Sequence, residues 1–298
     1  MTMQILTSSD HIRNACRRMK GTIGFVPTMG ALHDGHLSLI QRARAECDFV
    51  VASVFVNPTQ FAPGEDYDAY PRSLHDDCVK LEAVGVDLVF APNADEMYPL
   101  GSTSSVDVGE IGRRLDGASR PGHFRGVATI VSKLFHLVDA DRAYFGQKDA
   151  AQIAVLRTMI RDLNFSVQLV ACPIVREKDG LAMSSRNLRL SADERRRALA
   201  LHAALQTACQ FLVSGETSSA VLRRAMLERF AEVPGVRVDY AEVVDPDSLL
   251  PVEDASQGAL IAVAAWVGST RLIDNVLTEN LFIDHPVLRG PVLESLHA

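Results

Sequence analysis

Over residues 1–180 the chain alternates short apolar runs with longer stretches of helical periodicity, and that alternation restricts the folds open to it. Thr22 to Val26, Phe49 to Val56, Val86 to Phe90, Ala143 to Phe145 and Val167 to Cys172 are short and mostly rich in branched or aromatic residues, the pattern of buried strands. Leu37 to Glu46, Leu74 to Ala83, Val127 to Val138 and Ala150 to Leu163 place apolar residues at helical spacing. Strands joined through helices imply a parallel sheet with right-handed crossovers and helices on both faces. Such a sheet takes ligands beyond the carboxyl ends of its strands.

The texture changes near residue 180. Glu177-Lys178-Asp179-Gly180 reads as a turn, and Ser191-Ala192-Asp193-Glu194 as a capping box opening a long helix. A second helix is expected from about Ser219 to Glu232, then strands at Val236 to Val244 and Leu260 to Val267 and a short segment at Arg271 to Val276. The expected architecture is therefore α/β: a Rossmann-like doubly wound parallel sheet in an N-terminal domain, 1–180, and a smaller α+β C-terminal domain, 181–298. The stretch from Glu279 onward, with Pro286 and Pro291, has no periodicity and is expected to be loosely held or packed on a partner subunit.

Composition narrows the function classes. Lys and Arg total 30 against 37 Asp and Glu, for a net charge of −7, with no run of five like charges. This disfavours a general nucleic-acid binder, whose affinity rests on phosphate neutralisation. The longest apolar stretch, Ala259 to Val267, is far short of the roughly 20 residues that span a bilayer. The N-terminus lacks a basic region followed by an apolar core, so a cytoplasmic location is expected. The five cysteines, Cys16, Cys47, Cys78, Cys172 and Cys209, are widely spaced with no C-x-x-C pair and read as reduced thiols.

The segment most informative about chemistry is Pro27-Thr28-Met29-Gly30-Ala31-Leu32-His33-Asp34-Gly35-His36, between the first expected strand and the first expected helix. Glycine lets the backbone approach a phosphate, and the N-terminus of the helix offers unpaired N–H groups with partial positive charge. The lysine and Ser or Thr of a P-loop are missing, which excludes a Walker-type nucleotidase. His33 and His36 alone lack a third metal ligand, so no metal ligand is assigned to the protein, and capped or packed histidines remain an open reading of the segment alone. His-x-x-His at a strand-to-helix turn resembles the His-Ile-Gly-His signature of nucleotidylyl transferases and class I aminoacyl-tRNA synthetases. Met183-Ser184-Ser185-Arg186 resembles the mobile Lys-Met-Ser-Lys-Ser loop of the same superfamily, and its hydroxyls and fixed guanidinium suit a diphosphate leaving group.

The resemblance extends further. Pro27 to His36, Phe55-Val56-Asn57-Pro58-Thr59-Gln60-Phe61, Arg120-Pro121-Gly122-His123-Phe124-Arg125-Gly126-Val127, Phe145-Gly146-Gln147-Lys148-Asp149 and Met183 to Asn187 together closely resemble the pantothenate synthetase, or pantoate-beta-alanine ligase, family. That family condenses pantoate with beta-alanine using ATP, giving pantothenate, AMP and diphosphate through an enzyme-bound pantoyl adenylate. The resemblance implies that Met29, Gly30, Ala31, Leu32, His33, Asp34, Gly35 and His36 bind ATP. It makes His36 the proton donor to the departing phosphate oxygen and His33 its companion. It adds Gly146, Gln147, Lys148 and Asp149 around the nucleotide, Val175 at adenine, and Met183, Ser184, Ser185 and Arg186 over the phosphates. His36, His33, Lys148 and Arg186 are thus the expected catalytic residues. Gln60 and Gln152 are the expected pantoate contacts, with Asn57 a further pantoate-side residue.

The resemblance also implies magnesium with ATP and a homodimer, the second domain serving as lid or dimer-associated unit. Asp76, Asp77 and Lys80 are candidates for approaching the cation through water, and Arg120, His123 and Arg125 for adding positive potential. Ala62 to Arg72, without clear secondary structure and directly after Gln60, is expected to gate the adenylate. A nucleotidylyltransferase with a phosphorylated acceptor shares the histidines and the mobile loop; Gln60, Gln152 and the Arg120 to Gly126 motif favour the ligase. The net negative charge argues against an RNA-binding relative of the synthetases.

Overall fold

Among the described residues, which in this computed structural model are 3–62, 64, 65 and 67–279, six strands form one parallel sheet. They are β1 (Gln4–Leu6), β2 (Ile23–Thr28), β3 (Phe49–Val54), β4 (Leu88–Phe90), β5 (Arg142–Gly146) and β6 (Gln168–Cys172), in the order β1-β4-β3-β2-β5-β6. The connecting helices are α1 (Ser9–Cys16), α2 (Asp34–Glu46), α3 (Leu74–Ala83), α4 (Ala94–Met97), α5 (Asp116–Ser119), α6 (His123–Val138) and α7 (Ala150–Asp162). Successive strand side chains point to opposite faces. Val26, Val50, Ala52, Val89 and Tyr144 pack with Leu39, Ile40 and Ala43 of α2 and Leu81 of α3. Their neighbours Phe25, Val51, Phe90, Ala143 and Phe145 are also buried, which explains the nearly continuous apolar runs. α6 touches β2, α1 and α7, and twelve of its residues are buried.

The order in which strands are added reverses at β2. From there the sheet grows through β3 and β4 toward one edge and through β5 and β6 toward the other. β2 and β5 pair only at Gly24 with Arg142 and Phe25 with Ala143, although both strands run three residues further. A crevice therefore opens between their carboxyl ends, the switch point where open α/β sheets take ligands.

β1 and α1 carry no strong sequence signal. β1 is a three-residue edge strand with Gln4 and Ile5 exposed, and α1 buries only Ile12 and Cys16. α2 and α6 begin before the expected Leu37 and Val127 because their first turns are polar or glycine-bearing rather than apolar. All five cysteines are free thiols, four of them buried.

The chain divides into two compact units, the break falling between Val175 and Arg176 rather than at residue 180. Arg176 goes with the second unit because it pairs with the buried Asp274 (2.6 and 3.0 Å) and donates to the Gly180 carbonyl (3.0 Å). In that unit α8 (Ala192–Val213) and α9 (Ser219–Ala231) pack on an antiparallel sheet of β7 (Val236–Val244), β8 (Leu260–Val267) and β9 (Thr270–Leu277). The Ser191–Glu194 capping box is formed: Ser191 Oγ accepts from Glu194 N (3.2 Å) and Glu194 Oε2 from Ser191 N (2.8 Å). The expectation for the C-terminal stretch concerns, apart from Glu279, residues outside those described.

Truncating Arg176→Ala should leave the Asp274 carboxylate buried and unpaired, lowering the stability of the second unit by about 3 kcal/mol, read as a shifted midpoint in urea unfolding.

Candidate active site

The turn joining β2 to α2 is bent through the left-handed region, with φ of 82° at Gly30 and 52° at Ala31. For alanine this conformation is costly, and it has to be held from outside. Asp77 on α3 holds it: Oδ2 accepts from Ala31 N (2.9 Å) and Oδ1 from Leu32 N (2.8 Å). Lys80, one helical turn on, donates to the Leu32 carbonyl (2.6 Å). A Cβ on Gly30 would lie 2.8 Å from Asp77 Oδ2, so the position admits only glycine. Asp77 and Lys80, expected near a cation, are thus turned into the turn backbone, and exposed Asp76 accepts from Ser73 Oγ (2.6 Å). The N–H groups of Ala31 and Leu32 are spent on Asp77, which leaves those of Asp34 and Gly35, in the first turn of α2, for an anion.

The held turn sets the His33 and His36 rings against each other, with centroids 4.1 Å apart and the planes tilted by 37°. His36 Nδ1 accepts the His33 N–H at 3.4 Å, so the neutral ring carries its proton on Nε2. Burial, and then the neighbouring His33, push the His36 pKa from 6.5 down to about 3. Burial and then Lys148 lower that of His33, whose Nδ1 is buried without a hydrogen-bond partner. Lys148, Lys80 and Asp149 all act electrostatically on both rings, which places the β5–α7 turn beside them. With its pKa so lowered, His36 near neutral pH is a neutral imidazole whose Nε2–H is a hydrogen-bond donor. Lys148 lies 3.5 Å from Asp149 in that turn, and a Cβ on Gly146 would meet nothing within 4 Å, leaving the strand end open to a ligand.

Beyond β3, the turn Pro58–Gln60 carries Gln60 against Met29, its Nε2 3.1 Å from the Met29 sulfur. Asn57, expected as a pantoate-side contact, is 1% exposed, with its amide committed to protein. Its Nδ2 donates to Gln60 Oε1 (3.0 Å) and the Gly126 carbonyl (3.2 Å), and its Oδ1 accepts from Tyr98 and Thr59. A Cβ on Gly126 would fall 2.2 Å from the Thr59 carbonyl oxygen, so α6 meets this turn backbone to backbone.

Arg120 does not supply free positive charge. It forms two bonds to Glu65 (2.8 and 2.7 Å) and one to the Gln60 carbonyl (3.3 Å). Its Nη1 also donates to His123 Nε2 (3.1 Å), leaving His123 Nδ1–H to donate to the same Gln60 carbonyl (2.8 Å). Burial, then Arg120, push His123 down to about 4. Arg125 is exposed. Among the described residues of the expected gate, Tyr67 and Tyr70 meet the Phe61 ring edge-on, and Arg72 sits 4.9 Å over the Tyr67 ring.

A family model described as pantoate-beta-alanine ligase matches residues 4–277. The chain belongs to the pantoate-beta-alanine ligase family. The pantothenate synthetase of Acidobacterium capsulatum is 61% identical over 87% of this chain and 89% of its own, and that of Koribacter versatilis 51% identical over 93% and 96%. Among solved structures, pantothenate synthetase from Thermus thermophilus superposes with a TM-score of 0.89 at 50% identity, over 92% of this chain and 99% of that one. Pantoate-beta-alanine ligase from Francisella tularensis, complexed with beta-gamma ATP and beta-alanine, superposes with a TM-score of 0.77 at 33% identity, over 93% and 98%.

Of the residues that the ligase resemblance singled out, the first unit brings together Met29, His33, His36, Gln60, Lys148 and Asp149. Gln152 is half-buried in the first turn of α7, and Val175 half-buried beyond β6. Met183 to Arg186 lie in the second unit, where Ser184 Oγ accepts from Arg186 N (3.3 Å). There Asn187 anchors the loop by donating to Glu177 Oε1 (2.7 Å) and the Ala182 carbonyl (3.1 Å). Sequence reasoning missed the roles of Asp77, Tyr98 and Glu65, because each partner lies 41 to 55 residues away and no local spacing announces it.

Two outcomes are expected. Asp77→Ala should raise the KM for ATP by about tenfold or more and lower the melting temperature, since two buried N–H groups lose their acceptor. Because the folded pKa values of His33, His36 and His123 are depressed, the unfolded chain takes up protons first. Stability is then full above about pH 6.5 and falls as the pH drops toward the folded values of about 4 and about 3, which urea unfolding across that range should record.

Proposed function

We propose that this chain joins pantoate to beta-alanine at the expense of ATP, releasing AMP and diphosphate by way of an enzyme-bound pantoyl adenylate. The observation that carries the reading, beside family membership, is the pair of close, mutually tilted neutral imidazoles flanked by Lys148 at the sheet's switch point. A carboxylate does not acylate an amine unaided. Its oxygen must first attack the α-phosphorus, breaking the bond to diphosphate and forming a mixed anhydride. The amine nitrogen then attacks the acyl carbon, AMP leaves, and the nitrogen gives up its proton.

The residues suit the first step. Nε2–H of His36, the first-turn N–H groups of α2 and the Lys148 ammonium are donors suited to phosphate oxygens. The field of a bound triphosphate would raise both histidine pKa values, so that His36 can then hold a proton shared with the departing oxygen. We assign Gly146 to Asp149 and Val175 to the nucleotide, Met183 to Arg186 to the phosphates, and Gln60 and Gln152 to pantoate. The 62–72 segment, tied to Arg120 through Glu65, is proposed as the gate that shields the anhydride from water.

Among the described residues there is no group of three His, Cys, Asp or Glu able to hold a metal ion, and Asp77 is committed to backbone N–H groups. Magnesium is proposed to accompany ATP, where it would neutralise phosphate charge. A cytoplasmic homodimer is proposed on the resemblance; among the described residues no helix is long and apolar enough to cross a membrane.

A product assay tests the reading. Pantothenate and AMP should appear together only when pantoate, beta-alanine, ATP and magnesium are all supplied, and diphosphate exchange into ATP should require pantoate. Exchange without pantoate, or AMP without pantothenate, would sink it. His36→Ala should slow adenylate formation by about 100-fold or more with the melting temperature little changed.

A further inference from the structure

Gln60 is held at both ends. Its backbone carbonyl takes hydrogen bonds from Arg120 and His123, and its side-chain Oε1 takes one from Asn57 Nδ2. The carboxamide is therefore oriented, with Oε1 turned into the protein and Nε2 facing Met29, whose thioether is only a weak acceptor. Gln60 presents N–H donors alone, which suits a carboxylate or hydroxyl oxygen of an acid substrate.

The orientation depends on Asn57. Its Nδ2 lies against the Gly126 carbonyl, which admits only a donor, so its Oδ1 faces the other way. There Tyr98, directly after α4, donates its hydroxyl proton to Oδ1 at 2.7 Å, the shortest bond Asn57 makes. The Tyr98 ring is itself clamped: Lys133 Nζ stands 5.0 Å from its centroid and also bonds the Met97 carbonyl, and the Phe55 ring lies 6.5 Å away. Thr59 Oγ1, 3.1 Å from the Tyr98 hydroxyl, closes the group.

We propose that Tyr98 is a positioning residue for recognition of the acid substrate, acting through Asn57 to keep Gln60 pointed donor-first into the site. The relay runs in one direction, from the Tyr98 O–H to Asn57 Oδ1 and from Asn57 N–H to Gln60 Oε1. Each bond fixes the polarity of the next group. Without the tyrosine hydroxyl, Asn57 keeps its bonds to Thr59 and Gly126 but loses its shortest one, and the Gln60 amide gains freedom to rotate.

The inference rests on the functional reading above, and the test separates the two. Steady-state kinetics are compared for the native chain, Tyr98→Phe, Gln60→Ala and the double variant. Tyr98→Phe is expected to raise the KM for pantoate about 5- to 10-fold, the loss of one hydrogen bond, with the KM for ATP unchanged. In the Gln60→Ala background the same substitution should add nothing, because the group through which Tyr98 acts is gone. An unchanged pantoate KM in Tyr98→Phe overturns the inference. So does a parallel rise in both KM values, or an equal effect of Tyr98→Phe with and without Gln60. If the native chain makes no pantothenate, the functional reading fails and the inference goes with it; native activity with any of the other results removes the inference alone.

Discussion

The geometry of the nucleotide side of this protein depends on one carboxylate. Asp77 accepts the N–H groups of two successive residues, the first of them an alanine in the left-handed region. Successive N–H groups in such a turn form a concavity that ordinarily attracts an anion. Here the concavity is filled from within by α3, and the ligand is left the N–H groups of the next turn. The bend that results brings two imidazoles close enough that charge on His33 disfavours charge on His36.

That crowding has an electrostatic logic. A site meant for a polyanion gains from positive charge, yet two adjacent imidazolium ions in a part-buried turn would repel each other and cost desolvation. Burial keeps both rings neutral near pH 7, and the permanent cations Lys148 and Lys80 stand beside them. Under the proposed function, the field of a bound triphosphate would favour protonating them, so that protonation and binding would be coupled.

Much of the architecture was legible because strands buried on both faces leave long apolar runs, as at Phe49 to Val54 and Leu260 to Val267. The edge strand at Gln4 to Leu6 left none, since Gln4 and Ile5, which point to opposite faces, are both exposed. The histidine turn, Gln60 and Lys148 were legible as motifs; how they are supported was not. Asp77 reads in sequence as an acidic residue in the first turn of a helix, where it would suit the helix dipole whatever else it did. Arg120 reads as a spare cation until Glu65 is seen to neutralise it. Asn57 reads as a polar ligand until its burial shows that its amide is already committed. In each case the deciding fact is a contact distant along the chain, which composition and spacing do not encode.

The contact at Gly126 has a further consequence. Where two elements meet through side chains, rotamers can absorb small shifts and the separation between the elements is negotiable. Here main chain rests on main chain, and the helix behind it is surrounded on most of its circumference. The turn bearing Gln60 therefore has a fixed datum, set by the van der Waals radius of one carbonyl oxygen rather than by any packing that could be rearranged. Warming, or substitution in the surrounding core, can displace the glutamine only by carrying the whole helix with it.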